Sequence, residues 1–214
     1  RSPSRGLGDV YKRQNLLSVK RGLEKSGANV VITSDTKTII SSQRIVLPGV
    51  GAFQNAMKSL NNLGLVEAIH EASYQNIPIL GICLGMQLLL DESEEFGVSK
   101  GLGLIPGNVI PVPNRDISGK KQKIPHIGWS SLKPSQIRDW EGTLMENSIP
   151  GEAAYFVHSF MAVTSDINSR VADCIYGGHK VSAVISNGNI SGCQFHPEKS
   201  GEVGLKILRQ FCDN

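Results

Sequence analysis

The sequence predicts an α/β fold on a mostly parallel sheet, with a strand-rich, partly antiparallel C-terminal part. Two patterns carry this expectation. Short β-branched or apolar strands alternate with helical segments through roughly the first hundred positions, which is the signature of βαβ units. Beyond them, Gly and Pro punctuate short apolar runs with no helical period between them.

Taken in order, residues 1–14 show no initiator Met, apolar period or cap, so they read as a tail, a fragment edge or foreign sequence. The domain is accordingly placed at residues 15–214. Leu16, Leu17, Val19 and Leu23, with Gly27 as a stop, predict a helix starting at Asn15. Asn29–Thr33 is β-branched and short, a predicted strand, and Arg44–Leu47 is another, closed by Pro48 and Gly49. Ala52–Leu60 and Leu65–Gln75 read as helices, Pro78–Cys83 as a buried strand, and Met86–Leu90 as the opening of the next helix. Val109–Val112, Ala154–Val157, Val181–Ile185 and Ile190–Phe195 are the later strands. Gly201–Cys212 reads as a closing helix with Val203, Leu205, Ile207, Leu208 and Phe211 available for burial.

Composition narrows the function classes. A chain of 214 residues with 40% apolar residues can bury a substantial core. Its net charge of +3 is dispersed and too small to mark a nucleic-acid binder. The run Ile77–Met86 contains Pro78 and is about half the length that spans a bilayer. Cys83, Cys174, Cys193 and Cys212 are widely spaced, which suits a reducing, cytosolic setting better than a disulfide framework or a zinc site.

Three motifs carry chemistry. Gly81-Ile82-Cys83-Leu84-Gly85 falls between a predicted strand and a predicted helix, the thiol form of a nucleophile elbow. Free N–H groups and the dipole of a helix beginning near Met86 would favour a thiolate there. His196-Pro197-Glu198 follows a strand, and in an extended segment residues two apart share a face. The carboxylate can then orient the imidazole while the other ring nitrogen meets the thiol. Leu47–Phe53 is a further strand-end glycine turn, whose backbone N–H groups can face a developing oxyanion.

Together with Pro78–Leu90, Ile124–Trp129, Tyr155–Phe160 and Gln194–Ser200, these motifs resemble the class I (triad) glutamine amidotransferases. Within that family the match narrows to the glutaminase subunits of imidazole glycerol-phosphate synthase. The resemblance implies a flavodoxin-like fold with helices on both faces of the sheet, and no metal or cofactor. It implies that Cys83 attacks the side-chain amide of glutamine, with His196 as base and acid and Glu198 as its orienter. The Val50 and Leu84 N–H groups would hold the oxyanion; Gly49, Gly51, Gln87, His158, Ser159 and Phe160 would bind glutamine. Ammonia would pass to a (β/α)8-barrel cyclase subunit in a cytoplasmic heterodimer, with His126 and Trp129 toward that partner. The cyclase would make imidazole glycerol phosphate and aminoimidazole carboxamide ribonucleotide.

Two departures from the family pattern set the alternatives. Only Asn15–Val19 remains of the family's opening strand and Asp-Tyr-Gly-x-Gly-Asn turn, so the strand's neighbours are expected to be unpaired and the chain either to fold poorly or to be a truncated reading of a longer protein. Ser130 stands where Asn is common, and Tyr176-Gly177-Gly178 is similar to paralogues that serve an amidotransferase acting on surface sugars. A non-catalytic partner-binding module and a stand-alone hydrolase of γ-glutamyl compounds are the other readings.

Overall fold

The computed structural model describes residues 7–135 and 139–213, with side chains from Gln14 onward. Its helices are α1 (Leu7–Lys25), α2 (Thr36–Ile40), α3 (Phe53–Asn62), α4 (Leu65–Tyr74), α5 (Leu84–Leu88) and α6 (Gly201–Asp213). Its strands are β1 (Ile45–Gly49), β2 (Ile79–Cys83), β3 (Glu92–Ser93), β4 (Ser99–Lys100), β5 (Gly107–Pro111), β6 (His126–Ser131), β7 (Lys133–Pro134), β8 (Ala153–His158), β9 (Phe160–Thr164), β10 (Arg170–Tyr176), β11 (His179–Asn187) and β12 (Ile190–Cys193).

The main sheet runs β1-β2-β12-β11-β10-β7. It is parallel at β1-β2-β12 and antiparallel from there on. Parallel pairing brings the C-terminal ends of β1, β2 and β12 to one edge, where α/β proteins build their sites. A smaller sheet (β4-β3-β5-β9) and the β6–β8 pair flank that edge.

Each face of the main sheet is covered. Val19 and Leu23 of α1 join Ile207, Leu208 and Phe211 of α6 over Leu80, Ile82, Val184 and Phe195. Phe53, Met57 and Leu60 of α3 join Leu65 and Ile69 of α4, with Ile79, Met86 and Ile185, in the second cluster. β2 is buried throughout, which is why it reads as a continuous apolar run.

Several elements differ from the sequence reading. α1 begins at Leu7, inside the stretch assigned to a tail, and residues 1–6 lie outside the described residues. Its buried stripe is Asn15, Val19, Leu23 and Ser26, steps of three or four residues that leave Leu17 47% exposed. Asn29–Thr33 forms no strand, and Val31 is 68% exposed. A strand needs a neighbour as well as β propensity, and β1 pairs only with β2 among the described residues. β1 runs through Pro48 to Gly49, which its edge position tolerates. α5 starts at Leu84, immediately after the thiol, and ends within five residues.

Candidate active site

The elbow is built by steric exclusion. Cys83 leaves β2 with φ 54° and ψ −110°, a positive-φ conformation that costs a non-glycine residue on the order of 1–3 kcal/mol. The turn is so tight that a Cβ on Gly81 would lie 2.6 Å from the Met86 nitrogen, and one on Gly85 would lie 1.7 Å from the Leu47 carbonyl oxygen. The Gly-x-Cys-x-Gly spacing is therefore what lets β1, β2 and α5 meet at the thiol. With only five residues, α5 has a weak dipole, and the charged partner of the sulfur must come from elsewhere.

That partner is His196, which follows β12. Its backbone N–H donates to Tyr155 O at 2.9 Å, and its carbonyl accepts from Ser200 Oγ at 2.7 Å. The next three residues form a 3-10 turn, Pro197–Lys199, instead of the expected extended segment. Even so, the turn brings Glu198 Oε1 to 2.7 Å from His196 Nδ1, with both side chains essentially buried. Glu198 Oε2 is buried and unpartnered among the described residues, so the carboxylate is committed to the imidazole. Burial opposes charging His196, but hydrogen bonds to Cys83 and Glu198 outweigh it and raise its pKa to about 9. The imidazole thus holds its proton at neutral pH between a sulfur and a carboxylate.

A second layer of polar groups backs the thiol. Gln194 Nε2 is 3.8 Å from Cys83 Sγ, and the Val157 carbonyl is 4.0 Å from it. Gln87 Nε2 reaches Phe160 O and Gln194 Oε1, each at 3.0 Å. His158 Nδ1 donates to the same Phe160 carbonyl at 2.8 Å. A neutral His158 then accepts at Nε2 from His126 Nδ1 at 3.0 Å, and His126 Nε2 accepts from Ser130 Oγ at 2.9 Å. Burial keeps both imidazoles neutral, lowering His126 to about 4 and His158 to about 4.

The other expected residues sort by position. Gly49 is in register with Cys83 across β1–β2, which sets Val50 and Gly51 beside the elbow, and Leu84 is buried at the start of α5. Ser159 and Phe160 also line a cleft of about 480 Å³ with Pro111, Val112, Pro113, Asn114 and Ile124; Cys83 is not among its lining residues. His126 cannot be a surface contact, because alternation on β6 turns it inward at 2% exposure. Trp129, three positions further along β6, is turned outward, 59% exposed, with its ring edge-on to Tyr155.

Two groups escape the sequence reading. Gln194 lies two residues before His196, both past the end of β12 at Cys193, and that nearness in the sequence is the signal that could have found it. Glu95 Oε2 accepts from Phe53 N at 2.6 Å, just after the Gly49–Gly51 turn, and no local pattern announces that contact. No group of three or more His, Cys, Asp or Glu side chains among the described residues is arranged to hold a metal ion.

Residues 7–214 match the family model "Glutamine amidotransferase class-I". The chain is 50% identical over 202 residues to imidazole glycerol phosphate synthase subunit HisH 1 of Legionella pneumophila (strain Lens), covering 94% of this chain and 95% of that protein. It is 43% identical over 201 residues to subunit HisH of Geobacillus sp. (strain WCH70), covering 94% and 92%. A crystal structure of a glutamine amidotransferase superposes with a TM-score of 0.66 at 15% identity, covering 92% of each chain.

Proposed function

The chain belongs to the class I glutamine amidotransferases, and we propose that Cys83, His196 and Glu198 hydrolyse glutamine in it to supply ammonia for a synthase partner. One observation carries the reading: a strained thiol meets an imidazole that is itself held by a buried carboxylate at 2.7 Å. The Cys83 sulfur attacks the side-chain amide carbon of glutamine, and the carbonyl oxygen takes up the negative charge. The Val50 and Leu84 N–H groups receive that oxyanion. His196 gives its proton to the nitrogen, the C–N bond breaks, and ammonia leaves a γ-glutamyl thioester. The now neutral imidazole takes a proton from water, whose oxygen attacks the thioester; glutamate leaves and the thiolate–imidazolium pair is restored. Gln87, His158, Ser159, Phe160, Gly49 and Gly51 shape the glutamine site in this reading.

The chain acts as the glutaminase subunit of imidazole glycerol phosphate synthase in histidine biosynthesis, as its relatives of 40–50% identity are named. Its partner is a (β/α)8-barrel cyclase that receives ammonia, and exposed Trp129 lies toward it. Residues 15–214 work as one amidotransferase domain, with α1 beginning inside residues 1–14. We place the pair in the cytoplasm, where thiols stay reduced; no described helix is long and apolar enough to cross a membrane. The decisive experiment is Cys83→Ala assayed with the cyclase. Glutamine-dependent synthesis should fall by at least about a thousandfold, while synthesis from added ammonium persists. Full glutamine-dependent synthesis by this variant would end the proposal.

A further inference from the structure

We infer that Gln194 is a further catalytic residue, which donates an N–H to the Cys83 sulfur and holds it in the thiolate form. The inference rests on the glutaminase reading above and deepens it. An amide side chain can point either end at a neighbour, so its direction has to be argued. Here one backbone carbonyl decides it. Phe160 O can only accept, so Gln87 must present its –NH2 group there, at 3.0 Å. The second N–H of that group reaches Gln194 at 3.0 Å, so the Gln194 atom it meets must be the carbonyl oxygen. The Gln194 –NH2 group is thereby turned toward Cys83 Sγ, at 3.8 Å, a distance that suits an N–H···S contact.

The surroundings favour a functional role. Gln194 is fully buried, and its backbone N–H is tied to Ala183 O at 2.9 Å, so the donor is fixed in place. His196 is two residues on, also past the end of β12, and it too meets the sulfur. Glu198 stands behind His196, Cys193 neighbours the elbow on β12, and His158 faces the pair from β8. Of these groups only His196 brings positive charge to the sulfur, and Gln194 adds a neutral donor on another side. A donor to sulfur helps twice. It stabilises the nucleophilic thiolate before attack, and it stabilises the same thiolate as the leaving group when water opens the thioester.

The test is the pH dependence of Cys83 alkylation by iodoacetamide in the full chain, with modified peptides resolved from those of Cys174, Cys193 and Cys212 by mass spectrometry. Gln194→Met removes the donor at similar volume and should raise the alkylation midpoint by roughly one pH unit, a tenfold loss of rate below it. Gln194→Glu keeps an oxygen for Gln87 but sets an acceptor against the sulfur, and should raise the midpoint further. A role in packing alone would lower the melting temperature and leave both midpoints where the wild type has them, and that result overturns the inference. If Gln194→Met does not fold by circular dichroism, Gln194→Glu decides by itself. A wild-type Cys83 that resists alkylation at every pH would instead overturn the glutaminase reading, and the inference with it.

Discussion

At the residue scale, the site is a set of charge states fixed by burial at His126 and His158 and by hydrogen bonding against burial at His196. His196 has its pKa raised to about 9, against 6.5 in an unfolded chain, so its contribution to stability is fully present below about pH 6.5 and is lost as pH rises through 9. In the proposed mechanism the imidazolium is also the acid that releases ammonia. Glutaminase kcat/KM measured with the partner bound should therefore show an alkaline limb near pH 9. Glu198→Gln removes one of the two interactions that raise this pKa, and should move the limb downward by about one unit or more. A limb unmoved in that variant would contradict the assignment. His126 and His158 behave oppositely, because both are buried neutral with pKa values of about 4. The unfolded chain binds more protons than the native one between about 4 and 6.5, so stability is full above 6.5 and falls as pH drops through that window. Melts recorded across it should show the midpoint descending, and His126→Phe, which cannot take up a proton, should flatten the slope.

At the element scale, helix packing also bears on the turn that carries Glu198. α6 approaches the Pro197–Lys199 turn so closely that a Cβ on Gly204 would lie 1.8 Å from Pro197 O. Gly204→Ala should cost about 1–3 kcal/mol in a denaturant melt. It should also lower kcat far more than it raises KM, because the turn it pushes carries Glu198. The elements with a strong internal pattern are legible in the sequence alone: buried β2, amphipathic α3 and α4, and α6 with its apolar residues at helical spacing. Asn29–Thr33 misleads because strand propensity describes a residue's fit to a pleated surface, and no paired neighbour is there to form one. β6 turns polar His126 inward and leaves Ile127 and Trp129 exposed, the reverse of an apolar-in alternation, and Asp173 interrupts the buried apolar run of β10, so their sequences give no clear strand signal.

At the scale of the whole molecule, the question is what stays exposed once the core is closed. Trp129 keeps 59% of its surface open on the strand that buries His126. Trp129→Ala should weaken binding to the cyclase by roughly tenfold or more. Its melting temperature should stay within the small range typical of surface changes. Calorimetric titration and a thermal melt on one preparation separate the two; a large drop in melting temperature would make Trp129 a core residue instead. The amino-acid order by itself singled out Cys83, His196 and Glu198 as one group, because Gly and Pro mark the elbow and the segment after β12, although that segment is a 3-10 turn and not the extended stretch expected. Only the tertiary structure decided that Gln87 spans Phe160 and Gln194, that Gln194 faces the sulfur, and that Glu95 caps the start of α3. Those contacts join residues 42 to 111 positions apart. Local pattern cannot report them, because such pairs are brought together only by the order in which strands enter the sheet.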